Sequence, residues 1–257
     1  MAKNNSTADR FITSIILGVA IVAIAYTGFL TALQAYNYIQ AAMSNNTLQK
    51  IAGVSNDDPI RSVIGLGTAD DKGGQTPGSI AAAQKRVIDF TALKKINPEI
   101  VAWIYVPNSR IDYPVAQAKD NEFYLHHDFY GRSSFSGCIF LDKDAEPDFS
   151  SMDSPVYGHH MRNKSMFGSL NYFRQAAFRD SHQIAFIYLP DQTIKYQYVQ
   201  GQLLTGGELP PNTFDFKTLT MVTCEYDQPG DHYMVREKFL TTRAPGEADP
   251  ADPPATD

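Results

Sequence analysis

Cysteine is scarce in this chain, charge is missing from one long stretch of it, and lysine and arginine nowhere crowd together. The two cysteines, Cys138 and Cys224, leave room for one disulfide, and pairing them would abolish any thiol nucleophile. With a formal net charge of -6 and no dense Lys/Arg run, the chain lacks the electrostatic footprint of a nucleic-acid binder. The six histidines do not fall at metal-ligand spacing, and the acidic residues from Asp142 to Asp148 read as a solvated loop. No metal or other cofactor is therefore expected. No internal repeat of useful length is present.

The uncharged stretch is Phe11 to Leu33, mostly Ile, Val, Leu, Ala and Gly. As a helix rising about 1.5 Å per residue it is long enough for a hydrocarbon core of about 30 Å. A cleaved signal peptide has a shorter apolar core, about 7 to 15 residues. The stretch is therefore read as an uncleaved transmembrane anchor over residues 11–33. Lys3 and Arg10 lie on its N-terminal side, and no charge follows it before Lys50. By the positive-inside rule residues 1–10 are cytoplasmic and the rest faces outward, which places a single-pass protein in the cell membrane.

Residues 34–79 read as a helical stalk followed by a flexible linker, because from Ser55 to Ser79 the composition turns to Gly, Asp, Pro, Thr and Ser. Apolar residues near 3.6-residue spacing then predict one helix over 80–96, closed by Asn97-Pro98. Eight short extended runs follow: 101–106, 111–116, 137–141, 154–159, 184–189, 194–204, 219–224 and 233–241. Polar turns separate them, which predicts a mainly β fold, an eight-stranded closed or nearly closed barrel. One inserted helix is expected over 164–178, with Met166, Phe167, Leu170, Phe173 and Ala177 as a core stripe. The acidic, Pro-containing tail, 243–257, is expected to be disordered.

The run from Lys217 to Cys224 organises the functional reading. Its residues favour extended chain, so Cys224 sits where a strand meets a loop, on the face of Thr220 and Val222. A free thiol has a pKa of roughly 8.5, so a nucleophile there needs a cation or a base brought from elsewhere. Among His126, His127, His159, His160, His182 and His232, the pair at Tyr157-Gly-His-His-Met161 is informative, because it too lies where a strand runs into a loop.

Taken together, Tyr157 to Met161, Ser165 to Phe167 and Thr220-Met-Val-Thr-Cys224 resemble the sortases, cysteine transpeptidases of Gram-positive cell surfaces. The last segment is close to the family's Thr-Leu-x-Thr-Cys signature, with Met221 at the leucine. Upstream, Asn97-Pro98, Trp103-Ile104, Ile111 to Val115, Asp120-Asn121 and Ile139 to Asp142 look like the class B branch. The likeness covers residues 80–242, the expected catalytic domain.

The resemblance implies that Cys224 attacks the carbonyl of a threonine in the C-terminal sorting signal of a secreted protein, and that an amine resolves the thioacyl enzyme. That amine would come from a cell-wall precursor cross-bridge or a pilin lysine. His159 matches the catalytic histidine, and Asn121, Tyr157 and Glu225 would line the site. The family's arginine falls on His232 by local pattern. Chemical need favours Arg236 instead, four residues on and on the same strand face, if the loop 225–231 shifts register. A membrane-tethered barrel that binds or scaffolds without catalysis is the alternative. A papain-type hydrolase fits less well, because here histidine precedes cysteine in the chain.

Overall fold

The computed structural model describes residues 5–54, 73–206, 208–224 and 232–250, with backbone alone for 5–9 and 224. The chain divides into two units, residues 1–40 and 41–257. Most of the first is helix α1 (Asn5–Ile51), whose side chains are exposed throughout residues 11–33. By length and composition the span Arg10–Ile51 is apolar enough to cross a membrane, with a mean hydropathy of 2.2. Hydroxyls in its uncharged stretch bond back to the helix: Ser14 donates to the Arg10 carbonyl at 2.9 Å and Thr31 to that of Thr27 at 2.8 Å. Such bonds let polar side chains sit in an apolar helix without seeking outside partners.

In the second unit, helices α2 (Pro77–Gln84) and α3 (Phe90–Ile96) lead into strands β1 (Ile100–Tyr105) and β2 (Asp112–Ala116). A short helix α4 (Phe123–His126) and strands β3 (Phe140–Leu141) and β4 (Asp153–Gly158) follow. Next come a 3-10 helix (Phe167–Arg174) and helix α5 (Ala176–Ser181), then β5 (Ile184–Tyr188), β6 (Thr193–Leu204), β7 (Thr218–Cys224) and β8 (His232–Arg243). The strands close into a barrel in the order β1-β2-β3-β4-β7-β8-β6-β5. The eight-stranded barrel expected from the sequence is therefore present, and each expected run contains a strand. Ile104, Val115, Val156, Leu219, Met221 and Val235 are fully buried, as alternation in strands covered on one face requires.

Two helix expectations need correction. The predicted helix over 80–96 is two helices: the first ends at Gln84 with Lys85 as its cap, and Asp89 starts the second, its carboxylate accepting the Ala92 N–H at 2.9 Å. The break carries Ile88 and Phe90 into the core and leaves Val87 exposed. The predicted helix over 164–178 is the 3-10 helix plus α5, separated by extended backbone at Gln175. Phe167, Leu170 and Phe173 are buried at intervals of three, the repeat at which side chains stack in a 3-10 helix, while Ala177 is exposed.

Several stretches outside the expected domain are built onto the barrel. Leu48 and Ala52, in and just after the last turn of α1, are buried among Phe90, Leu93, Trp103 and Tyr188. Gln49 donates to the Asp112 carbonyl at 3.1 Å. Of the predicted linker, residues 55–72 lie outside the described residues, whereas Gln75 pairs twice with the backbone of Ile184, at 2.6 and 2.8 Å. Thr76 and Ser79 then form a capping box for α2. Of the predicted disordered tail, residues 251–257 lie outside the described residues, while Asp249 is half-buried and ion-paired with Lys195 and Arg243.

Candidate active site

Strand β7 is the axis of the site. It runs parallel to β4, Gly158 standing opposite Thr223, and antiparallel to β8, Cys224 standing opposite His232. The pair Gly158 and Thr223 is the last of the β4–β7 register, and the residues that come next in the chain after its two members are His159 and Cys224. On the face of position 224, the next row holds Tyr157, Val222 and Met234, and the row beyond it holds Pro155, Thr220 and Arg236. Val222 and Met234 pack with Leu204, and Leu209 of the β6–β7 connection adds to this patch. The patch gives the face an apolar floor beside the cysteine position.

His159 is half-buried, and its Nε2 lies 2.8 Å from the Leu125 carbonyl. A carbonyl only accepts, so Nε2 carries the proton and Nδ1 is the nitrogen left to take or give one. Two glycines make this placement possible. Gly137 has a φ of +52°, and a Cβ there would approach the Leu125 carbonyl to 2.7 Å. At Gly158 a Cβ would collide with Ile139 and come within 2.9 Å of Phe167. His160 turns the other way: it is buried, bridges to Met166, and lies against Gly168 on the 3-10 helix.

Cys138 is a free, buried thiol, so the disulfide with Cys224 is not formed. Burial pushes the Cys138 pKa well above its ordinary value, with Asp128 adding to the effect, which makes this thiol a poor nucleophile.

His232 is half-buried beside the cysteine position, and its Nδ1 has no hydrogen-bond partner among the described residues. Arg236, favoured from the sequence on chemical need, is placed elsewhere. It stands opposite Thr220, four residues along β8, or about 13 Å of strand, from the partner of Cys224. Its guanidinium is buried and engaged with the Pro210 carbonyl, the Pro211 carbonyl at 3.5 Å, Thr220 at 3.3 Å and the Asp153 carboxylate at 3.6 Å. Asp153 in turn accepts from the Thr218 and Thr220 hydroxyls. The structure thus gathers His159, Tyr157 and His232 about the end of β7 and seats Arg236 beneath the β6–β7 connection. Glu225 lies outside the described residues.

Tyr157 donates to Asp142 Oδ2 at 3.1 Å, and Asn121 Nδ2 reaches the same oxygen at 2.9 Å. Burial first, and the Asp142 carboxylate second, hold the Tyr157 pKa well above its ordinary value, so the phenol keeps its proton. Asp142, expected to begin a solvated loop, is instead half-buried with both carboxylate oxygens engaged. Its position beside Asn121 and Tyr157 arises from pairing across β3 and β4, which no local pattern announces. Among the described residues no cluster of His, Cys, Asp or Glu is arranged to hold a metal.

No protein-family model matches the chain. It is 36% identical over 90 residues to the sortase B of Listeria monocytogenes, 35% of this chain and 37% of that protein. To the sortase B of Staphylococcus aureus it is 36% identical over 95 residues, 37% of this chain and 39% of that one. The matched stretches thus span less than two fifths of the length of these curated relatives. In fold, the X-ray structure of Clostridium perfringens sortase B superposes with a TM-score of 0.54 at 27% identity, covering 59% of this chain and 99% of that one. Barrel, motifs and sequence similarity agree in likening this chain to the sortase B proteins.

Proposed function

We propose that this protein is a membrane-anchored transpeptidase that joins secreted proteins to an amine at the cell surface. The observation that carries the reading is the β4–β7 register, whose last pair, Gly158 opposite Thr223, is followed directly by His159 on one strand and Cys224 on the other, 65 positions apart in the chain. The Cys224 thiolate attacks the carbonyl carbon of a threonine in the substrate's C-terminal sorting signal. As the C–S bond forms and the C–N bond breaks, His159 hands a proton to the departing amine. An incoming amine, from a peptidoglycan cross-bridge or a pilin lysine, gives its proton to His159, forms the new amide and releases the thiolate. His232, opposite the nucleophile, is the polar side chain assigned to the developing oxyanion, while Arg236 braces the connection that carries Leu209. Asn121, Tyr157 and Glu225 line the peptide path.

The similarity to sortase B proteins supports the transpeptidase class. The uncharged N-terminal helix supports a single span with residues 1–10 inside and the barrel outside. A free Cys138 removes one version of the scaffold alternative, in which the two cysteines are paired.

The test is acyl capture. The full chain is incubated with fluorescence-quenched peptides that carry a central threonine, with hydroxylamine as acceptor, and the thioester is sought by intact-mass measurement. Wild type should accumulate a Cys224 adduct and release hydroxamate. Cys224→Ala should form no adduct and His159→Ala should turn over at least 100-fold more slowly, a loss typical of removing a general acid–base. Undiminished transfer by either variant removes that residue from the mechanism, and no adduct with wild type favours the scaffold.

A further inference from the structure

Asp142 is held in place by its own backbone. Its N–H donates to the Pro155 carbonyl of β4 at 2.8 Å, and its carbonyl accepts from Gln117 Nε2 at 2.8 Å. Oδ1 accepts the Asp144 N–H at 2.9 Å. Oδ2 accepts from both Asn121 Nδ2, at 2.9 Å, and Tyr157 Oη, at 3.1 Å. Asn121 completes the ring of contacts, its Oδ1 accepting the Lys143 N–H at 2.9 Å.

We propose that Asp142 is a positioning residue: it fixes the hydrogen-bonding polarity of Asn121 and Tyr157 so that the pair presents one donor and one acceptor to the main chain of a bound peptide. This rests on the transpeptidase reading and adds to it how the groove recognises the substrate backbone. A phenol has one proton, and with that proton directed to Asp142 the Tyr157 oxygen faces a ligand with lone pairs only. The Asn121 amide has a single tolerable orientation. Turned over, it would set Oδ1 against the carboxylate and Nδ2 against the Lys143 N–H. Held as it is, it keeps one N–H for a ligand. A peptide unit carries one N–H and one C=O, so such a pair suits an extended main chain whatever its side chains. Tyr157 lies two residues before His159 on the same strand face, which brings this clamp beside the reacting centre.

An Asp142→Asn variant keeps the shape but cannot keep the polarity. Its one amide oxygen cannot serve Asn121, Tyr157 and the Asp144 N–H as two carboxylate oxygens do, and its NH2 would donate to Tyr157 and turn the phenol proton outward. With the full chain in detergent, the same quenched threonine peptides and hydroxylamine as acceptor, Asp142→Asn should raise KM about 5- to 100-fold, the range for a misplaced buried hydrogen bond. The kcat and the rate of Cys224 alkylation by iodoacetamide should change less than about twofold. In an Asn121→Ala/Tyr157→Phe background, Asp142→Asn should add less than about twofold, because its route of action is gone. An unchanged KM in the single variant, or a full additional loss in the triple variant, overturns the proposal.

A readout free of activity keeps the two readings apart. In 15N-labelled protein the Asn121 side-chain amide protons should exchange slowly in wild type and faster in Asp142→Asn; identical exchange overturns the polarity argument. If wild type turns over no peptide while the Asn121 exchange responds as expected, it is the transpeptidase reading that falls.

Discussion

Replacing Glu237 by glutamine probes the physics of the barrel wall. Glu237 stands in β8 between Leu219 of β7 and Tyr198 of β6, fully buried, and neither carboxyl oxygen has a hydrogen-bond partner among the described residues. Burial pushes its pKa up from 4.5 to about 8, so the folded protein holds a neutral acid where the unfolded chain holds a carboxylate. The sign follows from proton counting. Between the two values the folded state binds the extra proton, so stability is greatest below pH 4.5 and falls as pH rises, by about 1.4 kcal/mol per pH unit.

Summed from 4.5 to about 8, the loss approaches ~5 kcal/mol, and at pH 7 it is already ~3 kcal/mol. That is a large share of the ~5–15 kcal/mol that holds most domains folded. Glu237→Gln has the same shape and no titration. It should match wild type below about pH 4.5 and exceed it by the amounts above at pH 7 and 8. Urea unfolding of the 41–257 unit, followed by the fluorescence of buried Trp103, the only tryptophan of the chain, measures both proteins from pH 4.5 to 9. A wild-type minus variant difference that does not vary with pH would refute the argument, since it would mean that the carboxyl keeps its charge in the fold.

Three other outcomes test the placement of particular side chains. Arg236→Met should cost about 3–5 kcal/mol of stability by stranding Asp153, whereas His232→Ala should cost less than about 1 kcal/mol yet lower acyl transfer. Full transfer by the His232 variant, beside a folded but inactive Arg236→Lys, would return the oxyanion role to Arg236. Leu48→Ala, in the last turns of α1, should destabilise the second unit by about 2–5 kcal/mol in urea unfolding, and a cost under about 0.5 kcal/mol would show that this turn is not part of the core. Gly158→Ala should cost about 1–3 kcal/mol through its clash with Ile139 and Phe167, and it should lower transfer further by displacing His159; transfer at the wild-type rate would show that the turn tolerates a side chain there.

Local pattern was enough for the parts of this protein that depend on local physics. An uncharged run is long or it is not, and β-branched clusters between turn residues mark strands wherever they occur, so the apolar helix and the barrel class were legible in the residues alone. Cys224 at the end of a strand was legible for the same reason. Period was less trustworthy where capping competed with it: the first helix stops at Gln84 and Asp89 caps a new one where the apolar stripe would have run on, and the threefold spacing of Phe167, Leu170 and Phe173 belongs to a tighter helix than the one expected.

What only the closed barrel decided are relations between residues far apart in the chain. Alternation puts His232 and Arg236 on one face and gives neither a partner; the β7–β8 hydrogen-bond register does, seating His232 opposite Cys224 and Arg236 opposite Thr220. The same holds for the Asp142 hub and for Leu48 against Phe90 and Trp103. A sequence sets which face each side chain takes along its own strand, but which strand lies beside it, and in what register, is fixed only when all eight close together.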